Sequence, residues 1–256
     1  MLTVGFLGFA VAIADTDIHV WPMPRSVSAG PGRYAPTLAV AANVTVTGAV
    51  TMRGQGGQEG LSPLLERGLL RAQGVLRARA AAGPTAAPRV DRVTVRVLRP
   101  DDEVLGLDTD YSYTLVVEAP PPGGGVPGVT VSGNSSFGVL AGLESLCQLA
   151  HHGSLGTIVI EDRPMYRHRG LMLDAGRRFH PVPLVKSMLE AMATVKLSVL
   201  HFHLSDQCRF AVESKRFPEL TARCVGDTAA AAQGEIHFYK RFPVSRRILC
   251  PRVLQA

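Results

Sequence analysis

Charged and hydrogen-bonding residues follow a short apolar run near residue 170. The run 170–173 is Gly-Leu-Met-Leu, and Asp174 and Arg177 come directly after it. A guanidinium offers a planar fork of donors that matches paired hydroxyls or a carboxylate. In the alternative, one of the neighbouring arginines, Arg177 and Arg178, pairs with Asp174 and the other is solvated. The spacing therefore predicts either a ligand-holding arginine or a local ion pair.

A second polar cluster follows the next apolar run. His201 and His203 lie two residues apart, and Asp206 comes three residues later. Residues i and i+2 of a strand share a face, so both imidazoles point the same way. With Asp206 they could ligate a metal ion, although no additional ligand is evident. In the alternative, both histidines fill the interior of the fold and are hydrogen-bonded to neighbours.

Other chemical motifs are weak or absent. Residues 101–103, Asp-Asp-Glu, form an adjacent carboxylate trio in a stretch flanked by proline and glycine, where side chains usually remain solvated. The sequence contains no GxSxG nucleophile elbow and no P-loop. The two polar clusters are therefore the best candidates for chemistry.

The segment that carries both clusters predicts a strand-helix-strand unit. Residues 170–173 are continuously apolar, as expected for a strand buried on both faces, and residues 197–204 form the next strand. Between them a helix starts at Pro183. Polar residues on the loops that follow such strands are typical of a βα-barrel. The apolar face of the helix comprises Val185, Met188, Leu189, Met192 and Val195.

The preceding residues, 19–163, predict a separate α+β domain. A capping hydroxyl, Ser62, and a proline open a first helix, and a second helix covers 137–151. The predicted strands are residues 38–47, 90–98, 111–118, 129–132 and 157–161, each rich in β-branched or alternating residues.

Composition limits the partners. The chain has 256 residues, 46% of them hydrophobic, and a net charge of +6. Its basic residues cluster only near the end, and no nucleic-acid-binding module accompanies them, so we expect no nucleic-acid partner. The cluster comprises Lys240, Arg241, Arg246, Arg247 and Arg252.

The amino terminus predicts a secretory route. Residues 2–14 are apolar and end in a small-x-small triplet, so residues 1–18 are interpreted as a signal peptide and leader; a buried strand or an edited terminus is the alternative. Asn43 and Asn134 begin glycosylation sequons. We expect an extracellular, cell-wall or vacuole-like location, with no membrane association after the signal is removed. Whether Cys208 and Cys224 pair is left open.

Residues 169–221 closely resemble a known enzyme family. The elements R-G-x-x-x-D-x-x-R and H-x-H-x-x-D, in RGLMLDAGRRFHPVPLVKSMLEAMATVKLSVLHFHLSDQCRF, resemble the first two βα units of family 20 glycoside hydrolases, the β-N-acetylhexosaminidases. Upstream, VTVSGNSSFGVLAGLESLCQLA and WPMPRSV resemble that family's small α+β domain. The resemblance covers about 19–221, and HFHLSDQCRF is similar to plant-type members.

The resemblance implies a fold and a site. The fold is an α+β N-terminal domain followed, over residues 164–221, by the first two βα units of an incomplete (β/α)8 TIM barrel; residues 222–256 are left as an irregular tail. Arg177 matches the arginine that binds hydroxyls of the terminal N-acetylhexosamine. Asp206 matches an aspartate that supports the catalytic acid, with Asp174, His201 and His203 as supporting pocket residues. No metal and no cofactor are implied.

The family's reaction is substrate-assisted. A glutamic acid protonates the leaving oxygen, the 2-acetamido carbonyl attacks the anomeric carbon, and a neighbouring aspartate orients the acetamido group. The corresponding H-x-G-G-D-E motif does not occur here, so we expect a truncated, inactive chain without catalytic residues. The alternatives are a non-catalytic interaction protein that is built on the α+β domain and associates with hexosaminidase chains, and a gene-model fragment with no stable product.

Overall fold

The computed structural model describes residues 20–29, 37–48, 61–99, 103–206, 209–210 and 214–219. They fall into two compact units. The first unit contains the described residues up to 99 together with 111–163, and the second contains 103–110 and the residues from 164 onward. Among the described residues, no helix is long and apolar enough to cross a membrane.

The first unit contains a seven-stranded mixed sheet in the order β1-β7-β4-β5-β3-β2-β6. All five strands predicted from the sequence are present. The short strands β1 and β6 were not predicted, because two to four residues are too few to show a period of two. The strands are β1 (Ser26–Ala29), β2 (Leu38–Gly48), β3 (Arg89–Val97), β4 (Tyr113–Val117), β5 (Val129–Gly133), β6 (Ser154–Leu155) and β7 (Ile158–Asp162).

Two helices, α1 (Pro63–Ala80) and α2 (Ser136–Leu149), pack on the sheet. Each begins where a serine satisfies an otherwise unpaired backbone donor. The Ser62 hydroxyl accepts the Leu65 N–H at 3.1 Å, and the Ser135 hydroxyl accepts the Gly138 N–H at 3.1 Å. The predicted cap of α1 is therefore confirmed. The core lies between helices and sheet and includes Leu65, Leu76, Val95, Leu115, Leu146 and Ile160.

Helix α1 also covers the border of the sheet. Beyond Ala39, strand β2 has no described strand neighbour on the side of β6. Side chains of α1 take the place of that neighbour: Gln73 Oε1 accepts the Val46 N–H at 3.0 Å, and Arg77 Nε donates to the Val44 carbonyl at 2.9 Å. The edge backbone is thus satisfied without another strand.

The second unit contains β8 (Gly170–Asp174), α3 (Val182–Thr194) and β9 (Val199–His203), with β8 and β9 parallel. The predicted strand-helix-strand order is confirmed. A short antiparallel pair, β10 (Ser205–Asp206) and β11 (Arg209–Phe210), follows and was not predicted.

The prediction that β8 is buried on both faces is wrong within the described residues. Leu173 is 6% exposed, whereas Leu171 is 36% and Met172 59% exposed. Burial on both faces requires helices on both sides of a parallel sheet. This unit has one helix among its described residues, and only Val185 and Met192 of α3 are fully buried. A single helix can cover only one face of the strand pair.

Candidate functional site

The candidate site lies where β8 and β9 end. Asp174 and His203 are opposite each other in the parallel register. Beyond them the loop after β8 stays tied to β9, because the Ala175 and Gly176 N–H groups both donate to the His203 carbonyl, at 2.8 and 3.0 Å. The two polar clusters predicted from the sequence are therefore brought together at the carboxyl ends of the two strands.

Gly176 allows the close approach of this loop to the segment after β9. A Cβ atom on Gly176 would lie 2.9 Å from the carbonyl oxygen of Ser205. That distance is shorter than real Cβ contacts allow, and backbone on the other side cannot swing away. Any larger residue would push the loop that carries Arg177 away from β9.

Arg177 is held by Asp174. Its backbone N–H donates to Asp174 Oδ1 at 3.0 Å, and its Nε lies 3.6 Å from Oδ2. The Arg177 side chain is nevertheless 67% exposed, whereas that of Asp174 is 28% exposed. The local ion pair considered from the sequence is present, and about two thirds of the Arg177 side chain remains open to solvent. Arg178 is also exposed.

His180 makes a further contact within the same loop, and it was not predicted from the sequence as a site residue. Its Nε2 lies 3.0 Å from the backbone carbonyl oxygen of Asp174. A carbonyl only accepts, so the ring nitrogen donates. The only signal in the sequence was its place between Arg177 and the proline that precedes α3. A hydrogen bond to backbone leaves no residue pattern.

His201 and His203 lie side by side, as their spacing predicts. Their ring centroids are 5.8 Å apart at an interplanar angle of 85°. His201 is exposed and His203 is half-buried, so within the described residues the alternative that both histidines fill the interior is not met. In the part of the chain that the structure describes, no three His, Cys, Asp or Glu residues are grouped closely enough to hold a metal ion.

Several predicted residues fall outside what the structure describes. The backbone of Asp206 lies in β10 opposite Arg209, but its side chain is not described, so its supporting role stays a prediction. The same holds for the 101–102 carboxylates, for Cys208 and Cys224, for the leader 1–18 and for the tail 222–256. Both sequon asparagines are described: Asn43 is exposed on β2, and Asn134 is half-buried before α2.

Several curated proteins similar to this chain are beta-hexosaminidases. Residues 166–245 match the catalytic domain of glycosyl hydrolase family 20. Beta-hexosaminidase 1 of Arabidopsis thaliana is 30% identical over 224 residues, covering 81% of this chain and 39% of that relative. Beta-hexosaminidase subunit beta of Felis catus is 35% identical over 152 residues, covering 57% of this chain and 27% of that relative. The chain thus spans about two fifths or less of these two relatives.

Solved structures give the same result. A Flavobacterium johnsoniae chitobiase matches with a TM-score of 0.56 and 28% identity, covering 79% of this chain and 29% of that chain. A family 20 β-N-acetylglucosaminidase matches with a TM-score of 0.53 and 28% identity, covering 80% of this chain and 34% of that chain. The resemblance found in the sequence is therefore matched by a resemblance in fold.

Proposed function

We propose that this chain, which is related to the family 20 glycoside hydrolases, binds the terminal N-acetylhexosamine of a β-linked glycan at the carboxyl ends of β8 and β9. Its homologues are β-N-acetylhexosaminidases. The proposed ligands are glycans that end in β-linked N-acetylglucosamine or N-acetylgalactosamine. The proposed reaction of the lineage is their removal by substrate-assisted, retaining hydrolysis.

The observation that carries this proposal is the pair of contacts that Asp174 makes with Arg177. The carboxylate contacts the backbone N–H and the Nε of the arginine, and the arginine side chain, which ends in a planar fork of donors, is 67% exposed. Adjacent sugar hydroxyls accept such a planar fork. His203 lies opposite Asp174 at the same end of the strand pair, so a sugar bound to Arg177 would meet the histidine cluster as well.

For the fold, we propose that β8, α3 and β9 are the start of a (β/α)8 barrel. Parallel strands joined by a helix, with polar residues on the loops that follow them, support this assignment. In such a barrel the described site would supply the sugar-holding part. The proton donor and the carboxylate that orients the acetamido group belong, by resemblance, to a motif that these 256 residues do not contain.

A second candidate function is association with a partner chain of the hexosaminidase kind. The observation that favours it is apolar surface on the second unit: Met172 is 59% and Leu184 43% exposed. Exposed apolar surface of this sort often marks an interface. Copurification with a full-length hexosaminidase would support this function, and a monodisperse monomer that binds sugar by itself would count against it.

We also propose that the chain enters the secretory pathway. The support is the apolar run at residues 2–14 and the two sequons. Fusion of residues 1–18 to a reporter tests it: secretion of the reporter is expected, and cytosolic retention would contradict the proposal.

Sugar binding is tested by titrating the purified chain with N-acetylglucosamine and following ligand resonances by saturation-transfer NMR. A guanidinium that makes charge-assisted hydrogen bonds contributes about 1.5–3 kcal/mol. We therefore expect Arg177→Ala to weaken binding by about 10- to 100-fold. Arg178→Ala is the matched control, since it removes the same charge from the neighbouring exposed position, and it should change binding less than about twofold. Equal losses in both variants would contradict the proposal.

A further inference from the structure

The two sequons of the first unit lie in opposite environments. On β2, Val44 and Val46 are buried, whereas Asn43 and Thr45 are exposed. The pairing of β2 with β3 is interrupted between Val40 and Thr45. Among the described residues, Asn43 therefore has no strand neighbour on the side of β3, nor on the side of β6, where pairing ends at Ala39.

The backbone hydrogen bonds at the edge of the sheet do not involve the Asn43 side chain. The backbone of β2 next to it is satisfied by Arg77, which donates to the Val44 carbonyl, and by Gln73, which accepts the Val46 N–H. Within the described part of the chain, the Asn43 carboxamide has no hydrogen-bond partner of its own. A substituent on its Nδ2 would extend into solvent and displace nothing.

Asn134 lies in the tight connection between β5 and α2. Its carbonyl accepts the Arg99 N–H at 2.9 Å. The two residues that complete its sequon are 0% and 1% exposed, and Ser135 caps α2. On the other side, a Cβ at Gly133 would lie 2.9 Å from the Val139 backbone nitrogen. Asn134 also takes part in a further interaction. A bulky substituent there would disturb the start of α2.

We propose that, in a chain that enters the secretory route proposed above, Asn43 carries an N-linked oligosaccharide and Asn134 does not in the folded protein. The oligosaccharide donor is a lipid-diphosphate-linked glycan of the secretory membrane. The Asn43 Nδ2 forms a bond to C1 of the first N-acetylglucosamine as the C1–O bond to the diphosphate breaks. The lipid diphosphate leaves with the electron pair, and the amide proton passes to a base of the transferase.

After this transfer, the fold determines which glycosylated chains can reach the native state. The glycan is added to the extended chain, so burial in the native state does not block the reaction itself. Burial decides instead whether a modified chain can still fold. A glycan on Asn43 leaves β2 and α1 undisturbed. A glycan on Asn134, in contrast, prevents the close packing of α2 against β5 that is seen at Gly133 and at the Ser135 cap.

The position of Asn43 also gives the glycan a physical role. An edge strand with an interrupted ladder can pair with another chain, and proteins protect such edges. Here α1 covers the edge at Val44 and Val46, while the neighbouring stretch around Asn43 is left exposed. A hydrated oligosaccharide at Asn43 would cover that stretch and oppose edge-to-edge association.

The test expresses the full 256-residue chain behind a heterologous cleavable signal in a eukaryotic secretory host, so that its outcome is independent of the native leader and of sugar binding at Arg177. Protease-resistant, folded protein is collected from medium and cells. It is deglycosylated enzymatically in ¹⁸O-water, and each sequon peptide is examined for the labelled aspartate. Asn43→Gln and Thr45→Val each remove the first sequon, and Asn134→Gln is the matched control.

The expected result is labelled aspartate at position 43 and unlabelled asparagine at 134. Asn43→Gln and Thr45→Val should each lose the whole mass shift, and Asn134→Gln should lose none. The Asn43→Gln protein should also self-associate at lower concentration than the glycosylated chain in light scattering. Folded protein that carries the glycan at Asn134, or that leaves Asn43 unmodified, would overturn the proposal.

Discussion

Asp174 holds Arg177 at two points: its Oδ1 accepts the Arg177 backbone N–H at 3.0 Å, and its Oδ2 lies 3.6 Å from Arg177 Nε. The hydrogen bond fixes where the loop leaves β8, and the ion pair limits the rotamers of the guanidinium. An exposed ion pair by itself adds little to stability. Its value here is in orienting the group that is proposed to bind the sugar.

Replacing Asp174 should therefore weaken sugar binding more than it lowers stability. Asp174→Asn keeps an oxygen that can accept the Arg177 N–H and removes only the charge, so a loss of about two- to fivefold in affinity is expected. Asp174→Ala also removes the hydrogen bond, which contributes about 1 kcal/mol and hence about a further fivefold, so a total loss of about 10- to 25-fold is expected. Saturation-transfer titrations and melting curves measure the two effects. Equal affinity in all three proteins would argue against a positioning role for Asp174.

The chain should bind N-acetylglucosamine without hydrolysing its glycosides. The described site offers a guanidinium and imidazoles, but the H-x-G-G-D-E motif of the family's mechanism does not occur in the sequence. A chromogenic N-acetylglucosaminide incubated with the purified chain should release no chromophore above the blank, while an active family 20 enzyme serves as the positive control. Turnover that disappears with Arg177→Ala would prove this prediction wrong.

Arg71 and Glu144 should contribute unequally to the stability of the first unit. Their side chains form an ion pair at 2.6 Å between α1 and α2, with Arg71 50% exposed and Glu144 8% exposed. Arg71→Ala leaves a buried carboxylate without this partner, which typically costs about 3 kcal/mol. Glu144→Gln leaves a half-exposed arginine that water can solvate, so about 1 kcal/mol is expected. Urea unfolding gives both values, and a larger loss in Glu144→Gln would contradict this assignment of charge burial.

Cys147 should make stability fall at alkaline pH. Burial, with a smaller contribution from the Glu144 carboxylate, raises the pKa of the Cys147 thiol from 9.0 to about 12. The unfolded chain therefore releases this proton first as the pH rises. The stability due to the neutral buried thiol is intact below pH 9, and about 1.4 kcal/mol is lost per pH unit between pH 9 and 12.

The measurement is urea unfolding from pH 8 to 11, with Cys147→Ala as the control whose slope lacks this contribution. Iodoacetamide labelling followed peptide by peptide gives a second readout. Cys147 should stay unmodified at pH 8.5 in the folded chain and react once it is unfolded. Identical pH slopes in the two proteins, or rapid labelling of folded Cys147, would rule out the raised pKa.

The long elements could be predicted from the sequence because periodicity and caps agreed. The capping hydroxyl of Ser62 fixed the start of α1, and alternating residues fixed β3 and β4. The strands β1 and β6 could not be predicted, because they are too short to have a period and exist through pairing with distant β7 and β2. Burial of β8 was overestimated because an apolar run does not show how many helices are available to cover the strand.

For the site, side-chain chemistry could be predicted but backbone contacts could not. The Asp174–Arg177 pair and the common face of the two histidines follow from spacing alone. The His180 contact to the Asp174 carbonyl and the tie of Gly176 to the His203 carbonyl depend on how the loop closes. Because backbone carbonyls are present at every residue, no sequence pattern marks which one a loop will use.

Two helical glycines should respond oppositely to alanine, because only one of them faces the sheet. A Cβ at Gly142 of α2 would lie 2.6 Å from Val131 Cγ1 and 2.9 Å from Tyr113 Cδ2, whereas a Cβ at Gly74 of α1 meets nothing within 4 Å. The Tyr113 ring cannot simply move away, because its hydroxyl is hydrogen-bonded to Ser145 at 2.6 Å and to Asp162 at 3.0 Å.

Gly74→Ala should therefore stabilise the first unit by about 0.5–1 kcal/mol, the ordinary helix preference of alanine over glycine. Gly142→Ala gains the same preference but overpacks the contact between α2 and the sheet, so a net loss of about 1–2 kcal/mol is expected. Urea unfolding of both variants gives the difference. If Gly142→Ala were as stabilising as Gly74→Ala, the contact of α2 with β4 and β5 would have to be looser than Val131 and the anchored ring of Tyr113 imply.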